Sequence, residues 1–330
     1  MRVKVLSLLK ELVEIRSESG REDKIVSYLV ERLYDFEPCV FEKYNVKNIL
    51  INQNSDIWVI THIDTVPVKR EFEFDGKYVY GTGCCDAKAS VTAIILALEE
   101  IDVPNFGVAL LSDEEEGGLG SKAVVEEFES RKAIVMEPTG LKIANRHYGC
   151  LEIDVEVFGE SAHGAYPEKG VNAIEKALDL ILRLKDLGYN FLIQKIEGGS
   201  YEYAVPNKCS LRVDFPVPPE ESVEDLEVKV GRLLKGTNYT VVEKSNGFVS
   251  GEVSVLLEKA IERAGLPIEY TEMKSWTDAI NLKEGGWDVV VFGPGELHLS
   301  HTEKERIRIE EILRAKDVLV ALNDIIRNSS

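Results

Sequence analysis

The chain has 330 residues, the size of one large or two modest domains and long enough to bury a substantial core. Its 39 basic and 58 acidic residues leave a formal net charge of −19, which argues against non-specific binding to nucleic-acid phosphates. A composition of 44% hydrophobic, 8% aromatic and 29% charged residues, without an apolar run of about 18, describes globular material and predicts no membrane span. In chain order, apolar residues at three-to-four spacing predict amphipathic helices over 3–12 and 22–36, divided at Gly20. Short apolar runs at 57–60 (IWVI), 106–111 (FGVALL) and 133–136 (AIVM) have the character of strands covered on both faces, and a helical stretch at 87–101 joins the first two.

From Leu151 the period changes to two. Leu151, Ile153, Val155 and Val157 alternate with Glu152, Asp154 and Glu156, the pattern of a strand with one solvated face. A helix over 171–187, strands at 191–196 and 209–217, a helix over 222–235 and a strand at 239–242 complete a β-α-β-β-α-β order of ferredoxin-like type. The α/β pattern then returns with a helix at 253–264, a strand at 289–292 and a final helix over 302–328. The expected fold is therefore α/β: a mixed-sheet domain from residues 1–150 and 252–330, with an α+β domain of residues 151–251 inserted. Cys39, Cys84, Cys85, Cys150 and Cys209 form an odd set without CxxC spacing, which fits reduced thiols. With no cleavable leader visible before Glu11 and Glu14, the expected location is cytoplasmic.

Open α/β sheets gather ligands beyond the carboxyl ends of their strands. IWVI is followed by Thr61-His62-Ile63-Asp64, FGVALL by Ser112-Asp113-Glu114-Glu115-Glu116, AIVM by Glu137-Pro138, and the strand at 289–292 by Gly293-Pro294-Gly295, His298 and His301. Asp86 precedes a helix. Taken singly, Asp86 reads more readily as a helix N-cap than as a ligand, and the acidic run as a solvated turn. Their convergence on one sheet edge points to a metal site. Carboxylates and imidazoles without thiolate suit Zn²⁺ first, with Co²⁺ or Mn²⁺ as alternatives, and the surplus of acids suggests two divalent ions sharing one carboxylate. Such a pair activates water for hydrolysis, which also needs an unligated acid as general base. In His62-Ile63-Asp64 the two outer side chains fall on one side of an extended segment, so Asp64 is expected to orient the His62 imidazole.

In this order the segments THIDTVP, GTGCCDAKAS, SDEEEGGLGS, MEPTG, SAHGAYP and FGPGELHLSHTEKE resemble the co-catalytic zinc metallopeptidase family of acetylornithine deacetylases, succinyl-diaminopimelate desuccinylases, aminoacylases and carboxypeptidase G. The resemblance implies that His62 and Glu137 hold one metal, Glu115 and His301 the other, and that Asp86 bridges them. It makes Glu114 the base. It makes the inserted domain a lid and dimerisation domain whose His163 reaches the active site of the neighbouring subunit in a homodimer; locally, His163 reads also as a turn-capping residue. Thr82 and Ala89 stand where relatives carry Arg and Gly, and Pro216 where many carry a carboxylate-binding Arg. Arg146, Lys208, Arg212 or Lys274 are then the candidate substitutes, with Lys169 a further cation for a positive rim around the cleft and with Gly293 and Gly295 lining the substrate site. Within the family the chain looks most like the hydrolases that release lysine or ornithine from the γ-glutamyl end of the carrier protein LysW, in lysine or arginine biosynthesis. Acetyl-lysine or acetylornithine deacetylation and diaminopimelate desuccinylation come next, then a dipeptidase or carboxypeptidase, then a metal-dependent binding protein without turnover.

Overall fold

The apolar runs become the centre of a sheet. In the computed structural model, which describes residues 1–101 and 103–329, strands Ile57–His62, Gly107–Leu111 and Lys132–Val135 run parallel, and Asp288–Val291 continues the parallel set beside Lys132–Val135. The sheet order is Cys39–Lys43, Val46–Ile51, Gly107–Leu111, Ile57–His62, Lys132–Val135, Asp288–Val291, Ile143–His147, with Tyr270–Met273 also on the last strand. Every residue of Gly107–Leu111 is buried, as expected for a strand covered on both faces. Helix Lys88–Glu100 is buried from Lys88 through Leu98, which explains its nearly unbroken apolar sequence. Helices Arg2–Glu14 and Ile309–Ser329 pack against it, and this sheet and these helices share one hydrophobic core.

Sequence periodicity did not reveal the edge hairpin Cys39–Lys43 and Val46–Ile51. Its two-residue turn is Tyr44-Asn45, both at positive φ (57° and 62°), a geometry for which Asn-Gly or Asp-Gly is the usual signal. The last helix begins at Ile309, not near residue 302. The intervening segment bonds elsewhere: Arg306 and Ile307 pair with Tyr80 and Val79 in a small second sheet.

The chain divides into two compact units. Unit 1 comprises Met1–Asn145, Ser250–Met273 and Thr277 onward, and unit 2 comprises Arg146–Val249 with Lys274–Trp276. Unit 2 has the strands Gly149–Phe158, Leu192–Gly198, Lys208–Val217 and Asn238–Ser245 in the spatial order second, third, first, fourth, all antiparallel. Helices Ala173–Lys185 and Val223–Leu233 cover one face, and Leu151, Ile153, Val155 and Val157 point into a core separate from that of unit 1. This is the expected βαββαβ order. The first of these helices is capped by Asn172, whose side chain accepts from the Ile174 and Glu175 amides.

His147, in unit 2, is wholly buried, stacks on Phe248 with ring centroids 5.0 Å apart, and places Nδ1 2.7 Å from the Tyr148 carbonyl oxygen. Burial pushes its pKa down to about 4, whereas an unfolded histidine titrates near 6.5. Acidification between these values protonates the unfolded chain first, so this contribution to stability is present above about pH 6.5 and lost as pH falls towards 4. His147→Phe is expected to lose less stability than the parent across that window, by up to about 3 kcal/mol. Urea melts giving parallel pH curves for the two proteins would contradict the assignment.

Candidate metal centre

Five loops of unit 1 bring acids and imidazoles to the carboxyl edge of its parallel strands. His62 ends strand Ile57–His62, Glu114 and Glu115 follow Gly107–Leu111, Glu137 lies two residues beyond Lys132–Val135, Asp86 precedes helix Lys88–Glu100, and His301 follows the 3₁₀ turn Leu297–Leu299. Asp86 offers one oxygen to each histidine. Its Oδ1 is 3.2 Å from His62 Nε2, and its Oδ2 is 3.6 Å from His301 Nε2. Glu137 Oε2 lies 3.8 Å from His62 Nε2, and Glu115 Oε2 lies 2.9 Å from His301 Nε2. The groups His62-Asp86-Glu137 and Asp86-Glu115-His301 each hold their ligand atoms within 4.8 Å of one another; His62-Glu114-Glu115 does so as well.

The donor set fits divalent cations. Glu115 Oε1 and Glu137 Oε1 are buried without a hydrogen-bond partner among the described residues, a costly condition that a cation relieves. Imidazole and carboxylate are ligands for Zn²⁺, Co²⁺ or Mn²⁺. Cys84 and Cys85 are buried beside Asp86 and burial raises their thiols well above the usual range, so they do not compete as thiolates. Helix Lys88–Glu100 has Ala87 at its N-cap and no side-chain cap bond, so Asp86 is not serving as the cap; the Asp86–Ala87 peptide is cis. Glu116 is exposed while Glu114 and Glu115 turn inward, which separates the acidic run into one solvated and two site residues.

Asp64 does more than the histidine-orienting role expected of it. His62 Nδ1 is 3.0 Å from the Asp64 carbonyl oxygen and 3.5 Å from Oδ1. The two carboxylate oxygens accept the amides of Glu114 and Glu115, each at 3.1 Å, and Oδ2 also accepts the Ser19 hydroxyl at 2.7 Å. Asp64 thus fixes the backbone of the acidic loop while it holds the His62 ring. Burial alone would raise its pKa, but the hydrogen bond and charge of His62 overcome that and hold it below the ordinary value.

The same contest sorts the other groups. Burial drives Glu114, Glu115 and Glu137 upward, the neighbouring acids adding to it. For Asp86 burial is outweighed by His62 and His301, and its pKa falls. Burial would lower His62, but Glu137 and Glu114 together with bonds to Asp64 and Asp86 raise it. His301 is raised first by its bond to Glu115.

The remaining residues expected at the site have local partners. Arg212 makes two 2.8 Å bonds to the Asp154 carboxylate, Lys208 pairs with Glu156, Arg146 pairs with Glu220, and the Lys274 ammonium lies 5.6 Å from the Tyr148 ring centroid, all within unit 2. In this structure the charges of Arg212, Lys208 and Arg146 are each paired with a carboxylate of unit 2. Gly293 and Gly295 hold the loop after Met136: the Gly293 carbonyl accepts the Leu141 amide at 2.9 Å and that of Gly295 accepts the Gly140 amide at 2.7 Å. His163 is in unit 2, where its Nδ1 accepts the Ala165 amide at 3.2 Å and its ring meets Tyr203 edge-on. Pattern reading missed Asp278 and Glu305. Asp278 is buried, bonds Ser121 and is pushed up to about 7 by burial. Glu305 lies in the HTEKE segment already noted, but nothing in the spacing of either residue marks an acid as turned inward.

Sequence and structure comparisons agree on the class. The pattern of peptidase family M20/M25/M40 matches residues 58–324, and the chain belongs to that family. It is a metallohydrolase. It is 29% identical over 298 residues to an acetylornithine deacetylase of Myxococcus xanthus, covering 79% of this chain and 77% of that one. It is 28% identical over 333 residues to a [LysW]-lysine/[LysW]-ornithine hydrolase of Sulfurisphaera tokodaii, covering 95% and 93%. A tripeptidase from Staphylococcus aureus has the same fold, with a TM-score of 0.84 at 20% identity over 99% of each chain. No helix among the described residues is long and apolar enough to cross a membrane.

If Asp86 serves both groups, Asp86→Ala should remove nearly all binding of Zn²⁺ or Co²⁺, whereas His62→Ala should weaken mainly one of two sites. Metal content of the dialysed proteins measures this. Equal, small losses from both substitutions would leave Asp86 without a bridging role.

Proposed function

We propose that the chain is a two-metal amide hydrolase, carried by the observation that Asp86 presents one oxygen to each of two histidine–carboxylate groups. His62 and Glu137 would hold one ion, Glu115 and His301 the other, and Asp86 both, with Zn²⁺ the first candidate. Such a pair, when bound, supplies polarisation of the scissile carbonyl and a water acidified towards pKa ~7. Glu114 makes no side-chain hydrogen bond among the described residues and lies on a loop held by Asp64; it is the group suited to take the proton from water and return it to the leaving amine.

His163 belongs to unit 2, and its proposed role is to support negative charge on the carbonyl oxygen at the site of a neighbouring subunit. The homodimer reading is supported by the edge strand Leu192–Gly198, where Leu192 and Ile196 are exposed, and by Leu178 and Leu182 exposed on helix Ala173–Lys185. A cytoplasmic location agrees with five unpaired cysteines, four of them buried. Glu114→Gln should lower kcat by roughly 10²–10⁴ with metal content unchanged. Mixed with an inactive His163→Ala chain, inactive Glu114→Ala should regain activity in heterodimers; full activity of a monomer would end the cross-subunit reading.

For substrate we favour the release of lysine or ornithine from the γ-glutamyl end of a carrier protein. The support is the relative named [LysW]-lysine/[LysW]-ornithine hydrolase, which aligns over nearly the whole chain, and Pro216, paired with Cys150 inside the unit 2 sheet where many relatives carry Arg. The second reading, acetylornithine deacetylation, rests on the Myxococcus relative. Offered LysW-γ-lysine, LysW-γ-ornithine, acetyl-lysine, acetylornithine and succinyl-diaminopimelate side by side, the enzyme is expected to show its highest kcat/KM on a carrier substrate. A higher value on acetylornithine decides for the deacetylase.

A further inference from the structure

Glu305 is 1% exposed, yet its carboxylate forms no ion pair among the described residues; it is spent on main-chain amides. Oε1 accepts from Cys85 at 2.9 Å and from Asp86 at 3.2 Å, and Oε2 accepts from Gly83 at 3.1 Å. Three donors from one loop converge on one buried carboxylate and make a cradle that holds the main chain of that loop. The cradled loop is the one that carries Asp86.

The other side of the cradle carries His301, four residues before Glu305. That segment is sewn to the stretch before Asp86 at several more points. Lys69 Nζ donates to the His301 carbonyl, Arg70 donates to the Glu303 carbonyl at 3.2 Å, and Arg306 and Ile307 pair with Tyr80 and Val79. Thr82, in the same loop, accepts the amides of Lys69 and Arg70 at 2.9 and 3.1 Å. His301 itself has a φ of 61°, a left-handed backbone that a non-glycine residue keeps only when its surroundings impose it. The groups that come together at the site from residues 86 and 301 are therefore parts of one hydrogen-bonded body, and Glu305 is its only buried carboxylate bonded to both Cys85 and Asp86 among the described residues.

We infer that Glu305 is a positioning residue that sets the Asp86 carboxylate against His301 and so preorganises the shared corner of the two metal groups. It neither ligates nor touches substrate. It acts by holding the Asp86 main chain, which fixes the direction in which Oδ2 faces His301 Nε2. The inference rests on the two-metal reading above. Its consequence is selective: loosening the cradle should weaken the Asp86-Glu115-His301 group more than His62-Asp86-Glu137, because His62 is held independently by Asp64.

Glu305→Gln and Glu305→Ala test this by metal affinity instead of turnover. Gln keeps the shape and one acceptor oxygen but turns a donor towards a donor; Ala removes the cradle. Each protein is titrated with Co²⁺, followed by its visible absorption, and melted without metal and at saturating Zn²⁺. Losses of metal affinity from residues that orient ligands run roughly 10- to 100-fold. The expected result is such a loss at one of two sites, smaller for Gln than for Ala, and a reduced Zn²⁺-induced rise in Tm. A purely structural role would lower Tm equally with and without metal and leave both affinities within about twofold; that result from either folded variant overturns the inference. Should Glu305→Ala fail to fold, Glu305→Gln decides. If the parent protein itself binds fewer than two ions, the two-metal reading fails first, and the outcome is distinguishable from a parent with two sites whose variants match it.

Discussion

Buried like charge is the constraint on which this structure turns. Asp86, Glu115 and Glu137 meet two histidines at the sheet edge, with Glu114 and Asp64 immediately behind. Packed this closely away from water, the acids would repel one another, and burial already holds Glu114, Glu115 and Glu137 away from their charged forms. Backbone amides partner two further buried acids and offset part of the cost of their burial. Asp64 takes two from the acidic loop, and Glu305 takes three from the loop of Asp86. What is left over, the unpartnered oxygens of Glu115 and Glu137, marks where positive charge belongs. The acids thus fall into two sorts: those that use hydrogen bonds to fix loops, and those left open to a cation.

Close loop packing makes the arrangement rigid. A Cβ on Gly293 would lie 2.5 Å from the Glu137 carbonyl oxygen, and one on Gly295, at φ 96°, would lie 2.2 Å from Cys85 Sγ. The loop after strand Asp288–Val291 can therefore approach both the Glu137 and the Asp86 loops only because it has no side chains at those points. Candidate ligand residues far apart in sequence are held by main chain against main chain, which leaves their side chains little freedom to drift.

Unit 2 obeys a different rule. Its sheet has one apolar face under two helices, and its other face carries Arg212 directly opposite Asp154 and Lys208 diagonally across from Glu156 on the neighbouring strand. Opposite charges across paired strands favour this register, although exposed pairs contribute little to stability. Arg212 and Lys208, candidates for a ligand in the sequence, also pair strand to strand.

The sequence by itself determined the architecture and which acids and histidines gather at the site. Period-two alternation from Leu151 and unbroken apolar runs such as IWVI and FGVALL distinguish a half-solvated sheet from a covered one, because burial on one face or two dictates the pattern. Acids and histidines after those runs marked the residues that gather at one sheet edge, because strand ends are where an α/β sheet opens. The hairpin at Tyr44-Asn45 and the late start of helix Ile309–Ser329 were hidden: an unusual turn pair and outward-bonding main chain leave no periodic trace. Only the tertiary structure decided which acid of Asp113-Glu114-Glu115-Glu116 points where, that Asp64 anchors that loop, and that Glu305 cradles the Asp86 loop. Those are matters of hydrogen-bond direction between segments distant in sequence, and a carboxylate spells the same letter whether it meets a metal, an amide or water.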